Sequence, residues 1–228
     1  MPAVQFFIDF DGTITTVDVV DTLLQRFADK SWMDVEKEWA EGHIGSRECL
    51  DRQIWLVRAT QQDVERLMAE VRIDAHFVEF LETARKLAVP VTVVSDGFDV
   101  LIREILKKNV PAPLLSGLPV FSNGLRWESR GPVPVFSDTT CGHGCANCKL
   151  AVLKQARAGT RVVLVGDGLS DRFAAEAADL TFAKKLLLEY CRQREIRHRA
   201  YTDFRSIREW VQSGCELEAA ESGCHGSV

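Results

Sequence analysis

Phe6-Phe7-Ile8-Asp9-Phe10-Asp11-Gly12-Thr13 puts two carboxylates two residues apart at the end of an apolar run rich in aromatic and β-branched residues. In an extended strand, residues i and i+2 share a side, so Asp9 and Asp11 are expected to emerge together. Two like charges held that close repel. A hard divalent cation is the simplest partner that relieves them, because such ions take carboxylate oxygens. A second acidic pair stands in Gly166-Asp167-Gly168-Leu169-Ser170-Asp171, Ser95-Asp96-Gly97 follows another apolar run, and Lys149 opens an apolar helical stretch. Taken singly, each has a plainer explanation. Asp or Ser at a strand-to-helix turn commonly caps the helix, and a lone Lys is usually solvated. Their recurrence at successive strand ends favours one shared site.

The positioning elements follow from the apolar runs. Those at 4–8, 91–94 and 162–165 do not alternate polar with apolar residues, so both faces are expected to be covered, as in a parallel sheet flanked by helices. Ligands of open α/β sheets bind outside the carboxyl ends of the strands, where the three polar turns fall. Residues 179–182 and 199–201 read as shorter strands, and 204–211 as the last helix. Residues 17–81 hold no strand-like run. Val19, Val20, Leu23, Leu24 and Phe27, then Leu50, Ile54 and Val57, then Val64, Leu67, Met68 and Val71 recur at helical spacing. That is more chain than one crossover needs, so it reads as a four-helix insert. The expected fold is α/β: a doubly wound, mostly parallel, Rossmann-like sheet with a helical-bundle cap inserted after the first strand. The core takes 1–16 and 82–228, the cap 17–81, and a helix over 75–87 leads back to the core. Asn123-Gly124, among the turn residues of 118–137, marks a β-hairpin or flap. The polar tail after Trp210 is expected to fray.

Composition bounds the function. The 228 residues are 46% hydrophobic and 27% charged, enough for one large domain or a core with a smaller companion. A net charge of −5 argues against nucleic-acid and anionic-membrane partners, and no apolar stretch approaches a membrane span. A start without a basic, cleavable leader and an odd count of seven cysteines predict a cytoplasmic protein with reduced thiols.

Asp9-Phe10-Asp11-Gly12-Thr13 resembles the first motif of the haloacid dehalogenase superfamily, most of whose members are phosphatases using an aspartyl-phosphate. Ser95, Lys149 and the Asp167/Asp171 pair stand where its other three motifs would, in order, and the likeness covers essentially the whole chain. It implies a magnesium-dependent phosphomonoesterase acting on a small phosphorylated metabolite. Asp9 is then the nucleophile, and Asp11 protonates the leaving group and later activates water. Ser95, the Gly97 N–H and Lys149 bind and neutralise the phosphoryl group. Mg2+ sits between Asp9, the Asp11 carbonyl and Asp167, with Asp171 reaching it through water or orienting Lys149.

The helical insert is similar to that of the phosphoserine phosphatase group, in which Asp18 would face the substrate ammonium. The position expected to hold a carboxylate-binding Arg is near Asp51, which would repel a carboxylate. Ile44-Gly45-Ser46-Arg47-Glu48, the Cys-rich run ending in Cys148-Lys149, and Phe182-Ala183-Lys184 to Cys191 more closely resemble the methionine-salvage phosphatases acting on 2-hydroxy-3-keto-5-methylthiopentenyl-1-phosphate. A phosphoserine, phosphoethanolamine or phosphocholine phosphatase, a phosphotransferase, and an idle binding module are the alternatives. Trp32, Trp39 and Trp55 read as cap packing, and His43 and His76 as surface or helix-packing residues. Cys141, His143, Cys145 and Cys148 read as a reduced loop beside the site, with a tetrahedral zinc centre as the other reading.

Overall fold

A computed structural model describes residues 3–137 and 141–215. Strand β1 (Val4–Ile8) is followed by helices α1 (Val19–Phe27), α2 (Trp32–Ala40), α3 (Ser46–Ile54), α4 (Gln61–Glu70) and α5 (Phe77–Lys86). Then come β2 (Val91–Phe98), α6 (Asp99–Asn109), α7 (Ala112–Leu115), β3 (Val120–Glu128) and β4 (Gly131–Val135). The chain continues through α8 (Lys149–Leu153), β5 (Arg161–Gly166), α9 (Arg172–Ala175), β6 (Leu180–Ala183), α10 (Lys185–Gln193), β7 (His198–Ala200) and α11 (Phe204–Gln212). The seven strands lie in the order β4-β3-β2-β1-β5-β6-β7, and only β3 and β4 run antiparallel. β1 is central: the chain winds to β2 on one side and to β5 on the other. The carboxyl ends of these three strands are therefore adjacent, as expected where strand order reverses.

Side-chain alternation along β1 shows why both faces are apolar. Phe6 and Ile8 enter one core, with Phe77, Phe80, Phe204 and Trp210, while Phe7 enters the other, with Val94, Leu164 and Leu187. The first core is an aromatic lattice. Phe80 lies 5.3 Å from Phe6 and 5.3 Å from Phe204, ring centre to ring centre, and Phe77 lies 4.9 Å from Phe204. It locks α5 and α11 beneath the strand that carries Asp9.

Helices α1–α4 intervene between β1 and the return to the sheet, and their apolar faces join the sheet's own core through Leu23, Leu24, Ile54 and Leu67. Single-residue bridges close this insert, Thr15 to Ile73 at its root and Ala28 to Val57 within it. The division into cap and core we keep as a proposal. Because Phe77 and Phe80 of α5 pack on the sheet, we set its upper boundary before α5 and not at 81.

Three local expectations are corrected. The hairpin exists, but Asn123-Gly124 lies inside β3, and the chain reverses between Glu128 and Gly131, which pair. Asn123 is buried and donates its amide to the Asp96 carbonyl at 2.7 Å, so it serves the strand end beside the site and not a turn. β2 runs on through Ser95-Asp96-Gly97 to Phe98, with a register shift between Val94 and Phe98. The chain after Trp210 does not fray at once: Val211 and Cys215 are buried, and the Cys215 carbonyl accepts from Arg161 at 3.1 Å. The rest of the tail lies outside the described residues. No described helix is long and apolar enough to cross a membrane.

Removing a ring from the lattice leaves a cavity that rigid neighbours cannot fill. Phe80→Ala is expected to cost about 4 kcal/mol of unfolding free energy, measured by urea titration. A loss under about 1 kcal/mol would mean the lattice is not what anchors α5.

Candidate active site

β1 stops at Ile8. The next residues form a wide turn in which the Thr15 N–H donates to the Phe10 carbonyl at 3.0 Å. Gly12 makes it possible. Its φ is +68°, and a Cβ there would come within 2.4 Å of an Asp167 carboxylate oxygen. Asp9 and Asp11 thus reach one pocket by a turn and not by strand alternation. Their carboxylates part: those of Asp9, Asp167 and Asp171 form a buried group with ligand oxygens within 4.8 Å of one another, and Asp11 is not in it. Asp11 instead accepts from the Ser95 hydroxyl at 3.0 Å and the Val19 N–H at 3.1 Å. Ser95 in turn accepts from the Gly97 N–H at 2.8 Å. The Gly97 donor expected to face phosphate is here part of a relay that ends on Asp11.

Lys149, the first residue of α8, is 3% exposed and lies between two carboxylates, 2.6 Å from Asp9 Oδ1 and 2.6 Å from Asp171 Oδ1. It also reaches Ser170 at 3.2 Å. The second oxygen of Asp171 accepts the N–H groups of Asp167 and Gly168 at 3.2 and 3.3 Å. Asp171 therefore orients Lys149 and fixes the turn that carries Asp167. Asp167 accepts from Thr13 at 3.2 Å and from Lys185 at 2.8 Å.

The cap supplies the opposite wall of the pocket with Asp18, Val20, Asp21, Glu36, Trp39, Ser46, Cys49, Leu50 and Gln53. Asp18 both lines the pocket and caps α1, accepting the Asp21 N–H at 2.8 Å. Asp51, expected to repel a carboxylate, is exposed and is not a lining residue; the acids on this wall are Asp18, Asp21 and Glu36. Trp39, expected only to pack the cap, lines the pocket and donates its indole N–H to Ser46 at 3.0 Å, whereas Trp55 is largely exposed. Lys149 is the only basic residue in the lining among the described residues.

Asp96, Thr13 and Lys185 are participants that sequence reading missed. Asp96 was visible as the middle of the Ser95-Asp96-Gly97 turn. Lys185 was not, because it follows the carboxyl end of β6, the strand beside the one that leads into Asp167.

Crowded burial raises the acids. Burial and the charge of Asp18 push the Asp11 carboxyl up to about 7. Burial, opposed by Lys149, leaves Asp96 at about 6. Burial and Asp171 hold Asp9 well above the ordinary carboxylate range, against the pull of Lys149. Burial alone would lower Lys149, but Asp171 and Asp9 overcome it and hold the ammonium well above the ordinary lysine range.

A strand-end acidic site with a lysine bridge, on a sheet of this topology and under a helical cap, defines a class. The chain belongs to the haloacid dehalogenase-like hydrolases, whose family model matches residues 6–176. It is 28% identical over 216 residues to the 2-hydroxy-3-keto-5-methylthiopentenyl-1-phosphate phosphatase of Geobacillus thermodenitrificans, covering 90% of this chain and 94% of that one. It is also 28% identical over 213 residues to the bifunctional enzyme MtnB/MtnX of Bacillus licheniformis. There the match covers 92% of this chain but spans only about half (49%) of the relative's length. Among solved structures, a phosphoserine phosphatase with a phospho-aspartyl intermediate analogue shares the fold. Its TM-score is 0.68 at 21% identity, over 92% of this chain and 99% of that one.

The acidic wall has a stability consequence. Burial, Glu36 and Asp11 raise Asp21 from 3.8 to about 6. A carboxyl whose folded pKa lies above its unfolded value opposes folding once ionised in both states, and the penalty fades as pH falls towards the unfolded value. Asp21→Asn is therefore expected to raise Tm in metal-free buffer at pH 8, and to raise it less at pH 5. An equal shift at both values, or a loss at pH 8, would show that Asp21 carries no such strain.

Proposed function

We propose that the protein is a phosphomonoesterase that forms an aspartyl-phosphate on Asp9 and is served by magnesium. The observation that carries this reading is the convergence of Asp9, Asp167 and Asp171 around the buried Lys149. The donors suit the ion. All are hard oxygens, burial and neighbouring carboxylates strain Asp9, and an ammonium, that of Lys185, already answers Asp167. Asp9, the Asp11 carbonyl and Asp167 would hold it, and when bound it supplies positive charge to the phosphate oxygens.

The chain's own groups do the rest. Asp9 attacks phosphorus, with its carboxylate held in orientation by Lys149 at Oδ1. Lys149 also neutralises charge shared between Asp9 and the phosphoryl group. Asp11, held up to about 7, can carry a proton near neutrality. It protonates the leaving alkoxide and then takes a proton from the attacking water. Ser95 and Gly97 would donate to the phosphate oxygens by giving up the bonds they make here, Ser95 to Asp11 and Gly97 to Ser95.

The substrate we assign is a carboxylate-free phosphate ester, with 2-hydroxy-3-keto-5-methylthiopentenyl-1-phosphate, named by the relatives, as the leading candidate. We place the activity in methionine salvage in the cytoplasm. Asp18, Asp21 and Glu36 disfavour a substrate carboxylate and accept hydroxyl donors, while Val20, Trp39 and Leu50 offer apolar surface to a thioether tail. The same acids favour a second reading, a phosphorylated amino alcohol whose ammonium would sit against them. Phosphoserine brings that ammonium but also a carboxylate, for which the wall offers no cation among the described residues.

Asp9→Asn is expected to keep the fold, judged by circular dichroism and Tm, and to abolish phosphate release, since an amide does not attack phosphorus as a carboxylate does. Substantial hydrolysis by the purified variant would remove Asp9 from the role. Assayed side by side, the enediol phosphate is expected to exceed phosphoserine at least tenfold in kcat/KM, or ~1.4 kcal/mol of transition-state binding. A clear preference for phosphoserine would overturn the substrate assignment, and a preference for phosphoethanolamine would select the second reading.

A further inference from the structure

The loop between β4 and α8 holds a donor set of a different kind. Cys141, Cys145 and Cys148 have their sulfurs within 4.8 Å of one another, and each is half-buried and free of a disulfide. They come from eight successive residues with neither strand nor helix to hold them, spaced Cys-x3-Cys-x2-Cys. His143 is not one of the group: its exposed ring stacks on Phe173, 3.9 Å between centroids. The Cys145 N–H already donates to Cys141 Sγ at 3.4 Å, the kind of bond that supports a thiolate ligand.

We propose that Cys141, Cys145 and Cys148 form a thiolate site for a zinc-class divalent cation, distinct from the carboxylate site. Tetrahedral zinc binds sulfur at about 2.3 Å, which sets sulfur–sulfur separations a little under about 4 Å, so only small side-chain rotations close the site. Soft sulfurs select zinc over magnesium, and hard oxygens such as those of Asp9 and Asp167 suit magnesium, so the two centres sort their ions by chemistry. The fourth position is left to water or a solvent-borne ligand.

The loop's surroundings give the ion a structural task. Asn147 donates its side-chain amide to the carbonyls of Ser95 and Phe121 at 2.9 and 3.0 Å. Gly144 meets the cap: its carbonyl accepts the Arg47 N–H at 3.0 Å, and a Cβ on Gly45 would come within 2.5 Å of it. Cys148 immediately precedes Lys149. An ion joining the three sulfurs would thus tie together the cap contact, the β2 end and the start of the helix that presents Lys149. The inference does not depend on which substrate the pocket takes.

The test uses the whole chain, reduced, desalted and kept in excess Mg2+ to occupy carboxylate oxygens, then titrated with Co2+. The expected result is a sulfur-to-cobalt charge-transfer band in the near ultraviolet, with visible bands typical of tetrahedral cobalt. Both should saturate at one equivalent and be displaced by Zn2+. The signal should vanish in Cys145→Ser and in Cys148→Ser and persist in Cys191→Ala, whose thiol lies in the core. A second measurement needs no variant: Zn2+ should protect three thiols of the native protein from an aromatic disulfide reagent, and a chelator should re-expose them. Absence of the charge-transfer band, its survival in both serine variants, or unprotected thiols would overturn the proposal. So would recovery of a disulfide among these three cysteines from protein purified without oxidant.

Discussion

The ammonium of Lys149, buried between Asp9 and Asp171, is the interaction on which the rest of the site depends. A buried ion pair seldom stabilises a fold on balance, and removing one partner strands the others in a medium that cannot solvate them. Here one cation answers two carboxylates that come from separate strand ends. It can do so only because α8 starts where it does and because Asp171 spends its other oxygen on the turn after β5. The site is therefore a set of mutually conditional placements. The central position of β1 makes them possible by bringing three strand ends side by side.

The two walls of the pocket follow opposite electrostatic rules. On the sheet side each buried carboxylate has a named partner: Lys149 for Asp9 and Asp171, Lys185 for Asp167, and Ser95 for Asp11. On the cap side Asp18, Asp21 and Glu36 are grouped with no cation beside them in the lining among the described residues, and burial with the charges of Glu36 and Asp11 holds the Asp21 carboxyl up. Charges left uncompensated within a pocket are a common mark of a surface shaped for a ligand and not for stability. The aromatic lattice beneath the sheet, none of whose rings lines the pocket, contributes to stability and not to the site.

Much of this was legible in the sequence, for reasons that differ by residue. Asp9, Asp11, Ser95, Lys149, Asp167 and Asp171 sit next to apolar runs, and a strand end has only one place to go in a doubly wound sheet, so their convergence could be read before any coordinates. The cap wall could not. Whether Asp51 or Asp21 faces the pocket is set by how a helix is rotated about its axis, and helical spacing alone does not fix that against a neighbour. The displaced hairpin has a similar cause: Asn123-Gly124 carries a strong local turn signal, but the bond from Asn123 to the Asp96 carbonyl commits it to the sheet. Lys185 stayed hidden because its contact with Asp167 joins the ends of two neighbouring strands, β5 and β6, that are distant in sequence.

The antiparallel strand β4 bears on a property of the whole surface. It is one of the two outermost strands, and it carries Pro132 and Pro134 at alternate positions opposite Trp127 and Leu125. Proline has no amide hydrogen, and alternate residues of a strand direct their amides to the same side. With the inner side occupied by β3, the outer rim lacks two successive donors and is a poor template for another chain to extend. At the opposite margin β7 is only three residues long, which offers little to copy. Among the described residues, both borders of the sheet are thus poor templates for growth by strand addition.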